Sequence, residues 1–198
     1  MNTTNVLGFE RLAYNSEKLP AHRKGETMKL EREKAKELFL EGYNCSQSVF
    51  VAYADRYGLD KELALKLSAS FGGGMGRMRE VCGVVSAMFM VAGMETGQVH
   101  PRDPEAKKAN YDMVQKLAKR YKEEYGSIIC KELLGLVPMP GKEKKNEEKV
   151  LQAAEFTDTT PAERTEEYYK KRPCLEQIQR ACDILDEVIF SQKQSEDV

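Results

Sequence analysis

Four of the five cysteines stand where a helix is predicted to begin, and this placement constrains the fold more than any other feature of the sequence. A helix-start signal precedes each of them: a capping asparagine, a glycine-rich loop, a serine and a proline. The four are Cys45, Cys82, Cys130 and Cys174. Intervals of 37, 48 and 44 residues separate them. Each therefore falls on a different element, and only a folded bundle can assemble them.

The start signals are local and specific. Asn44 is a good N-cap, and Gln47 three residues later completes a capping-box pattern. Ser127 is the expected cap before the third cysteine, and Pro173 directly precedes the fourth. A helix N-terminus carries partial positive charge, which lowers the pKa of a thiol and favours the thiolate that metals and redox chemistry require. We therefore expect a common site, although each cysteine alone is equally well explained as buried packing.

The fifth cysteine has a different setting. Cys182 lies between Ile178 and Leu185 on the apolar seam of the last predicted helix. Buried free cysteine behaves as a small hydrophobic residue. We therefore expect Cys182 to belong to the core and not to the site.

Composition and motifs exclude several classes of protein. The net charge is −1, with 31 basic and 32 acidic side chains, which gives no argument for nucleic acid or an acidic membrane surface. The first residues lack a signal peptide, and the longest apolar run, of about 13 residues, is too short to span a bilayer, so a cytoplasmic protein is expected. An odd number of cysteines in that compartment argues against a disulfide framework. No C-x-x-C motif and only two histidines, His22 and His100, are present.

Hydrophobic periodicity is helical throughout, and no strand pattern competes with it. The segment from about Glu80 to Glu95 is apolar on every side, which places it in the middle of a bundle. The sequence therefore predicts an all-α fold, a multi-helix bundle with a buried central apolar helix. Helices are expected over 29–41, 44–57, 60–71, 80–95, 103–125, 127–134 and 173–190, with Leu63 and Leu67 spaced four apart on the third.

Domain organisation follows from the same pattern. Residues 1–28 are polar and weakly periodic, and we predict an N-terminal extension there. Residues 29–191 form the predicted all-α cysteine-cluster domain, in which 136–162 is a looser segment containing one exposed helix. Residues 192–198 are a C-terminal tail.

A glycine-rich segment precedes the second cysteine. No strand precedes it and no Gly-Lys-Ser/Thr follows, so it is not a P-loop, and a tight connection between helices is the simplest reading. Glycines also let backbone N–H groups approach an anionic ligand, phosphate or cluster. Arginines after the loop either add positive charge beside Cys82 or lie on the surface. The candidate cofactor-binding residues are Gly72, Gly73, Gly74, Gly76 and Arg77.

Ordered motifs across the chain carry a resemblance to a known family. They are Glu41–Val49 around the first cysteine, Phe71–Gly83 through the second, Gly126–Gly135 around the third, and Cys174. In this order they resemble the C_GCAxxG_C_C family, whose members are described as redox-active proteins, over about 29–190. The family is also similar to the non-haem part of split-Soret cytochromes, where a cysteine cluster accompanies an iron–sulfur centre. Haem-attachment motifs are missing from this sequence.

The resemblance implies a set of metal ligands, namely Cys45, Cys82, Cys130 and Cys174. A [2Fe–2S] or [4Fe–4S] cluster that transfers single electrons is the leading expectation. The alternatives are zinc in a four-cysteine site, a metal-free thiol–disulfide enzyme or sensor, and a purely structural bundle. We expect an unidentified redox partner protein, no nucleic acid and no membrane, and a homodimer stays open.

One departure from the family motif stands out. Where the family name has Gly-Cys-Ala-x-x-Gly, this chain has Val81-Cys82-Gly83-Val84-Val85-Ser86. The cysteine is kept while its small neighbours are rearranged, so the departure concerns local packing more than ligation.

Overall fold

The computed structural model describes residues 24–141 and 158–191, and helices dominate both ranges. The all-α prediction is confirmed: the only β-pairing in these ranges is an isolated bridge between Val81 and Ile129. Within these two ranges the α-helices are α1 (Lys24–Leu40), α2 (Cys45–Ala54), α3 (Lys61–Ala69), α4 (Gly72–Met75), α5 (Gly83–Thr96), α6 (Pro104–Tyr125), α7 (Cys130–Leu133), α8 (Glu166–Lys171) and α9 (Cys174–Leu185). A 3₁₀ turn (Asp55–Tyr57) extends α2, and a π-helical turn (Asp186–Phe190) extends α9.

Helix α5 is the centre of the bundle, as its sequence predicts. It packs against α2, α6 and α9, while α1 packs against α2 and α9. Residues 83–88 of α5 are all buried, as are Val91 and Ala92. Because this helix has no polar face, only a position enclosed by other helices removes its surface from water.

The predicted helix starts are wrong in detail at α1, α5 and α7, and the leucines of α3 do not mark its buried face. Helix α1 begins by Lys24 instead of Lys29, and α5 begins at Gly83 instead of Glu80, because the residues before Cys82 pair with the segment before α7. On α3, Leu63 and Leu67 are 47% and 49% exposed. The buried residues of α3 are Ala64 and Ser68, so the face one position further along the helix meets the core.

The segment over 136–162 is described only at its ends, and neither 136–141 nor 158–162 is helical. The exposed helix predicted inside it falls on 142–157, outside the described residues. The predicted extension 1–28 lies mostly outside them as well, and the tail 192–198 lies wholly outside. In residues 24–141 and 158–191, no helix combines the length and hydrophobicity that a membrane crossing needs.

Candidate functional site

Each of the four predicted site cysteines stands at the first residue or the N-cap of a helix. Cys45, Cys130 and Cys174 are the first residues of α2, α7 and α9, and Cys82 is the N-cap of α5. Asn44 forms the predicted capping box with Gln47. The prediction of helix-start cysteines is therefore confirmed at all four positions.

The cap predicted for the third cysteine is wrong. Ser127 lies two residues before the N-cap, which is Ile129. The Ser127 hydroxyl instead accepts a hydrogen bond from the Ile129 N–H at 2.9 Å and donates to the Glu132 carboxylate. This closed turn fixes the approach of the chain to Cys130.

All four cysteines line one cavity of about 300 Å³. Four of the five predicted loop residues, Gly72, Gly73, Gly76 and Arg77, line the same cavity. Gly74 is absent from the lining. Residues of the segment 159–172 also line the cavity, and no sequence motif predicts them there. The fold thus brings together cysteines that are up to 129 positions apart (Cys45 to Cys174).

A short antiparallel bridge fixes two of the cysteines relative to each other. Val81 pairs with Ile129. The Cys82 N–H donates to the Ile128 carbonyl at 2.8 Å, and the Cys130 N–H donates to the Glu80 carbonyl at 2.6 Å. Because side chains alternate along extended backbone, both cysteines leave the bridge on the face opposite to Val81, as diagonal neighbours.

Two glycines lie directly against cysteine side chains. A Cβ on Gly74, where φ is +75°, would lie 2.6 Å from the Cys130 Cβ. A Cβ on Gly83 would lie 2.7 Å from the Cys45 Sγ. Both distances are shorter than real carbon contacts, so any other residue there would displace a cysteine. Gly74 therefore supports the wall of the cavity, although it does not line it.

The glycine-rich loop is a run of left-handed backbone. Besides its glycines, Met75, Arg77 and Arg79 have φ of 58°, 70° and 62°. Such values cost free energy in residues with a Cβ and persist only where the surroundings hold them. The carbonyl of Arg79 accepts from the Lys131 N–H at 3.1 Å, which ties the end of the loop to α7.

Arginines supply the charge of the cavity. Arg77, Arg79, Arg164 and Arg172 line it, whereas no Asp, Glu or His among the described residues does. Arg79 is only 8% exposed, so it is not a surface arginine. Its positive charge near Cys130 opposes the rise in pKa of that thiol.

Burial raises the pKa of three of these thiols, so the predicted lowering of the pKa is wrong for Cys82, Cys130 and Cys174. Desolvation raises the pKa of Cys82 and Cys130 above the ordinary value, and it raises the pKa of Cys174 to about 12. The partial charge of a helix terminus is smaller than this desolvation cost. The neighbouring Cys45 thiol contributes to all three shifts, which shows that the four groups lie within electrostatic reach of one another.

The donor set suits a metal cluster without forming a closed shell. Sulfur is the only strong metal donor that side chains present to the cavity, and thiolates select iron–sulfur clusters or zinc. Within residues 24–141 and 158–191, no three Cys, His, Asp or Glu side chains are arranged to hold a metal ion. The ligand role of the four cysteines stays a prediction.

Tyr121 is a buried residue of α6 near the site that no sequence motif marks. It is fully buried, and its hydroxyl has no hydrogen-bond partner among the described residues. Burial, followed by the Cys82, Cys45 and Cys174 thiols among other neighbours, raises its pKa. Nothing in the sequence distinguished this tyrosine from its neighbour Tyr125.

Cys182 lies apart from the cavity, as predicted. It is fully buried on α9, and its backbone carbonyl accepts from the Tyr53 hydroxyl at 3.1 Å. Neighbouring carboxylates and burial raise the pKa of its thiol. It is a core residue beside a separate buried polar group.

Comparison with known proteins supports the sequence resemblance. Residues 43–188, most of the chain, match the family described as "Putative redox-active protein (C_GCAxxG_C_C)". The chain belongs to the C_GCAxxG_C_C family. No curated protein and no solved structure matches it. The matched range begins just before the first cysteine and ends after the fourth. All four cysteines that line the cavity therefore lie within the C_GCAxxG_C_C region.

Proposed function

We propose that this protein is a redox carrier that binds an iron–sulfur cluster through Cys45, Cys82, Cys130 and Cys174 and transfers single electrons. The observation that supports the proposal is that these four cysteines, from four separate helix starts, line one cavity. A cluster bound there would accept and release one electron at a time. Membership of a family described as redox-active agrees with this chemistry.

The protein's own residues would set the properties of such a centre. Cys82 and Cys130 are 5% and 6% exposed, so water has little access to their sulfurs. The guanidinium of Arg79 lies close enough to the Cys130 sulfur to stabilise negative charge there. Burial and hydrogen bonds to sulfur are the means by which proteins tune cluster potentials. We further propose a reducing cytoplasm as its compartment, since all five cysteines are free, and a separate redox partner protein.

Anaerobic reconstitution with iron and sulfide tests the proposal. Wild-type protein should take up both elements, and each of the four variants Cys45→Ala, Cys82→Ala, Cys130→Ala and Cys174→Ala should lose most of this uptake. Cys182→Ala is the matched control, because it removes a buried thiol outside the cavity at a similar cavity cost. If the four variants retain iron and sulfide as fully as Cys182→Ala does, the cysteines are packing residues. A protein that stays colourless and binds zinc stoichiometrically is a zinc protein.

A metal-free thiol–disulfide protein is the second candidate, and the Val81–Ile129 bridge favours it. This bridge places Cys82 and Cys130 on one face as diagonal neighbours, and a disulfide between them would require their usual separation of about 7–8 Å to shorten. Differential alkylation before and after mild peroxide separates the two functions. Loss of exactly two reactive thiols in metal-free protein supports a dithiol, whereas identical alkylation in both states leaves it without support.

A further inference from the structure

The segment 159–172 carries two cavity arginines that sit on the same aromatic ring. The Arg164 and Arg172 guanidinium carbons lie 4.9 and 4.7 Å from the ring centroid of Tyr168. Arg164 also lies 4.7 Å from the ring centroid of Phe39. The two guanidinium carbons therefore lie no more than 9.6 Å apart, the sum of their distances to the Tyr168 centroid. Contact with an aromatic ring orients a guanidinium group but does not cancel its charge.

The hydrogen bonding of Arg164 is incomplete. Its Nη2 donates to the Tyr43 carbonyl at 3.1 Å, which fixes the guanidinium in place. Its Nη1 is buried and has no partner among the described residues. A buried N–H of a charged group without an acceptor is destabilising, so its retention needs a reason. An acceptor from outside residues 24–141 and 158–191, such as a bound ligand, would satisfy it.

No carboxylate balances this side of the cavity. Of the four lining arginines, only Arg77 has an ion pair within the described ranges, with Asp158 at 3.1 Å. Arg79 adds a third charge, and its φ of +62° holds it in a backbone conformation that non-glycine residues rarely adopt. Guanidinium groups match the oxygens of phosphate and similar oxyanions through paired hydrogen bonds.

We propose that Arg79, Arg164 and Arg172 form a binding site for a small oxyanion, free or carried as the phosphate group of an organic molecule, beside the four cysteines. The inference rests on the proposed function, since it assigns a ligand to the same cavity. The cavity of about 300 Å³ is lined by these three arginines as well as by the four cysteines.

Titration calorimetry with inorganic phosphate and with phenyl phosphate tests the site. The full chain is titrated as purified anaerobically and again after chelation of metal, and iron and sulfide are assayed in the same samples. We expect binding in both forms: tighter binding of phosphate indicates a free oxyanion, and tighter binding of phenyl phosphate indicates an organic ester. Failure of the cluster proposal would show in the iron and sulfide assay alone, leaving the titration result readable.

Three results would overturn the site. The first is that neither anion binds. The second is that an anion binds only after chelation, which would mean that the arginines compensate the charge of the metal centre. The third is that arginine substitution leaves binding unchanged. Arg164→Gln and Arg172→Gln should each weaken binding at least tenfold. Arg102→Gln, at an exposed arginine outside the cavity, should bind like wild type. If Arg164→Gln does not fold, Arg164→Lys keeps the charge without the paired donors and should still weaken binding.

Discussion

Gly83 lies against the sulfur of Cys45, so that a methyl group at position 83 would stand 2.7 Å from Sγ and equally close to the Phe71 carbonyl oxygen. The family motif has alanine after its second cysteine, where this chain has glycine. This departure from the family motif therefore falls at a position where the structure leaves no space for a side chain. Without a side chain at position 83, the start of α5 can approach the start of α2 closely enough for their cysteines to share a cavity.

Gly83→Ala should destabilise the protein and disturb the site together. The added carbon meets a sulfur and a backbone oxygen, so we expect a loss of about 1–3 kcal/mol in the free energy of unfolding, typical of overpacking. Iron and sulfide uptake should fall as Cys45 moves. Gly93→Ala in the same helix is the control: a Cβ there meets nothing within 4 Å, and the substitution should stabilise by about 0.5–1 kcal/mol. Equal effects from both variants would contradict the packing account.

Two buried tyrosines should respond oppositely to loss of their hydroxyl. Tyr53 donates to the Cys182 carbonyl, whereas the Tyr121 hydroxyl has no partner in the described part of the chain. In metal-free protein, Tyr53→Phe should cost about 0.5–1.5 kcal/mol, and Tyr121→Phe should be neutral or stabilising. Urea unfolding measures both. A marked loss of stability in Tyr121→Phe would show that its hydroxyl has a partner.

Asp186 should make stability depend on pH near neutrality. It is 1% exposed, and burial together with Glu31 raises its pKa to about 7. Its Oδ1 lies 3.3 Å from the Tyr53 hydroxyl, which already donates its single hydrogen to Cys182. A protonated Asp186 can donate to the Tyr53 oxygen, so the geometry agrees with a retained proton.

The direction of this dependence follows from proton linkage. Between the unfolded pKa of about 3.9 and the folded value near 7, the folded chain holds a proton that the unfolded chain releases. The contribution of Asp186 to the free energy of unfolding therefore falls as pH rises through this window and is constant above it. Asp186→Asn should remove this pH dependence. The free energy of unfolding of the variant should exceed that of wild type by the largest amount at pH 8. Parallel curves for the two proteins in urea titrations across the window would refute the assignment.

Local signals in the sequence predicted that each of the four cysteines stands at the beginning of a helix, and that α5 is the central helix, because a cap or an apolar run acts within a few residues. Long-range contacts were not predictable in this way. Helix α5 begins at Gly83 and not at the predicted Glu80, because Val81 pairs with Ile129, 48 positions away. No local sequence pattern marks Arg164, because the cavity that it lines is formed largely by residues distant from it in the chain.

The pKa values of the thiols also depend on the assembled fold and could not be predicted from the local sequence alone. A helix start is visible in the sequence, and it argues for a lowered pKa. Depth of burial is a property of the assembled fold, and it raises the pKa of Cys174 to about 12. A coordinating metal deprotonates a thiol outright, so these buried cysteines become thiolates when a metal supplies the positive charge.

The absorption spectrum of anaerobically purified protein, before and after dithionite, tests the central claim most directly. We predict broad sulfur-to-iron charge-transfer absorption in the visible range, which bleaches on reduction and returns on reoxidation. The Cys182→Ala variant should keep this absorption, and the Cys82→Ala variant should lack it. A colourless protein whose spectrum dithionite leaves unchanged, even after reconstitution with iron and sulfide, would contradict the claim that the four cysteines hold an iron–sulfur cluster.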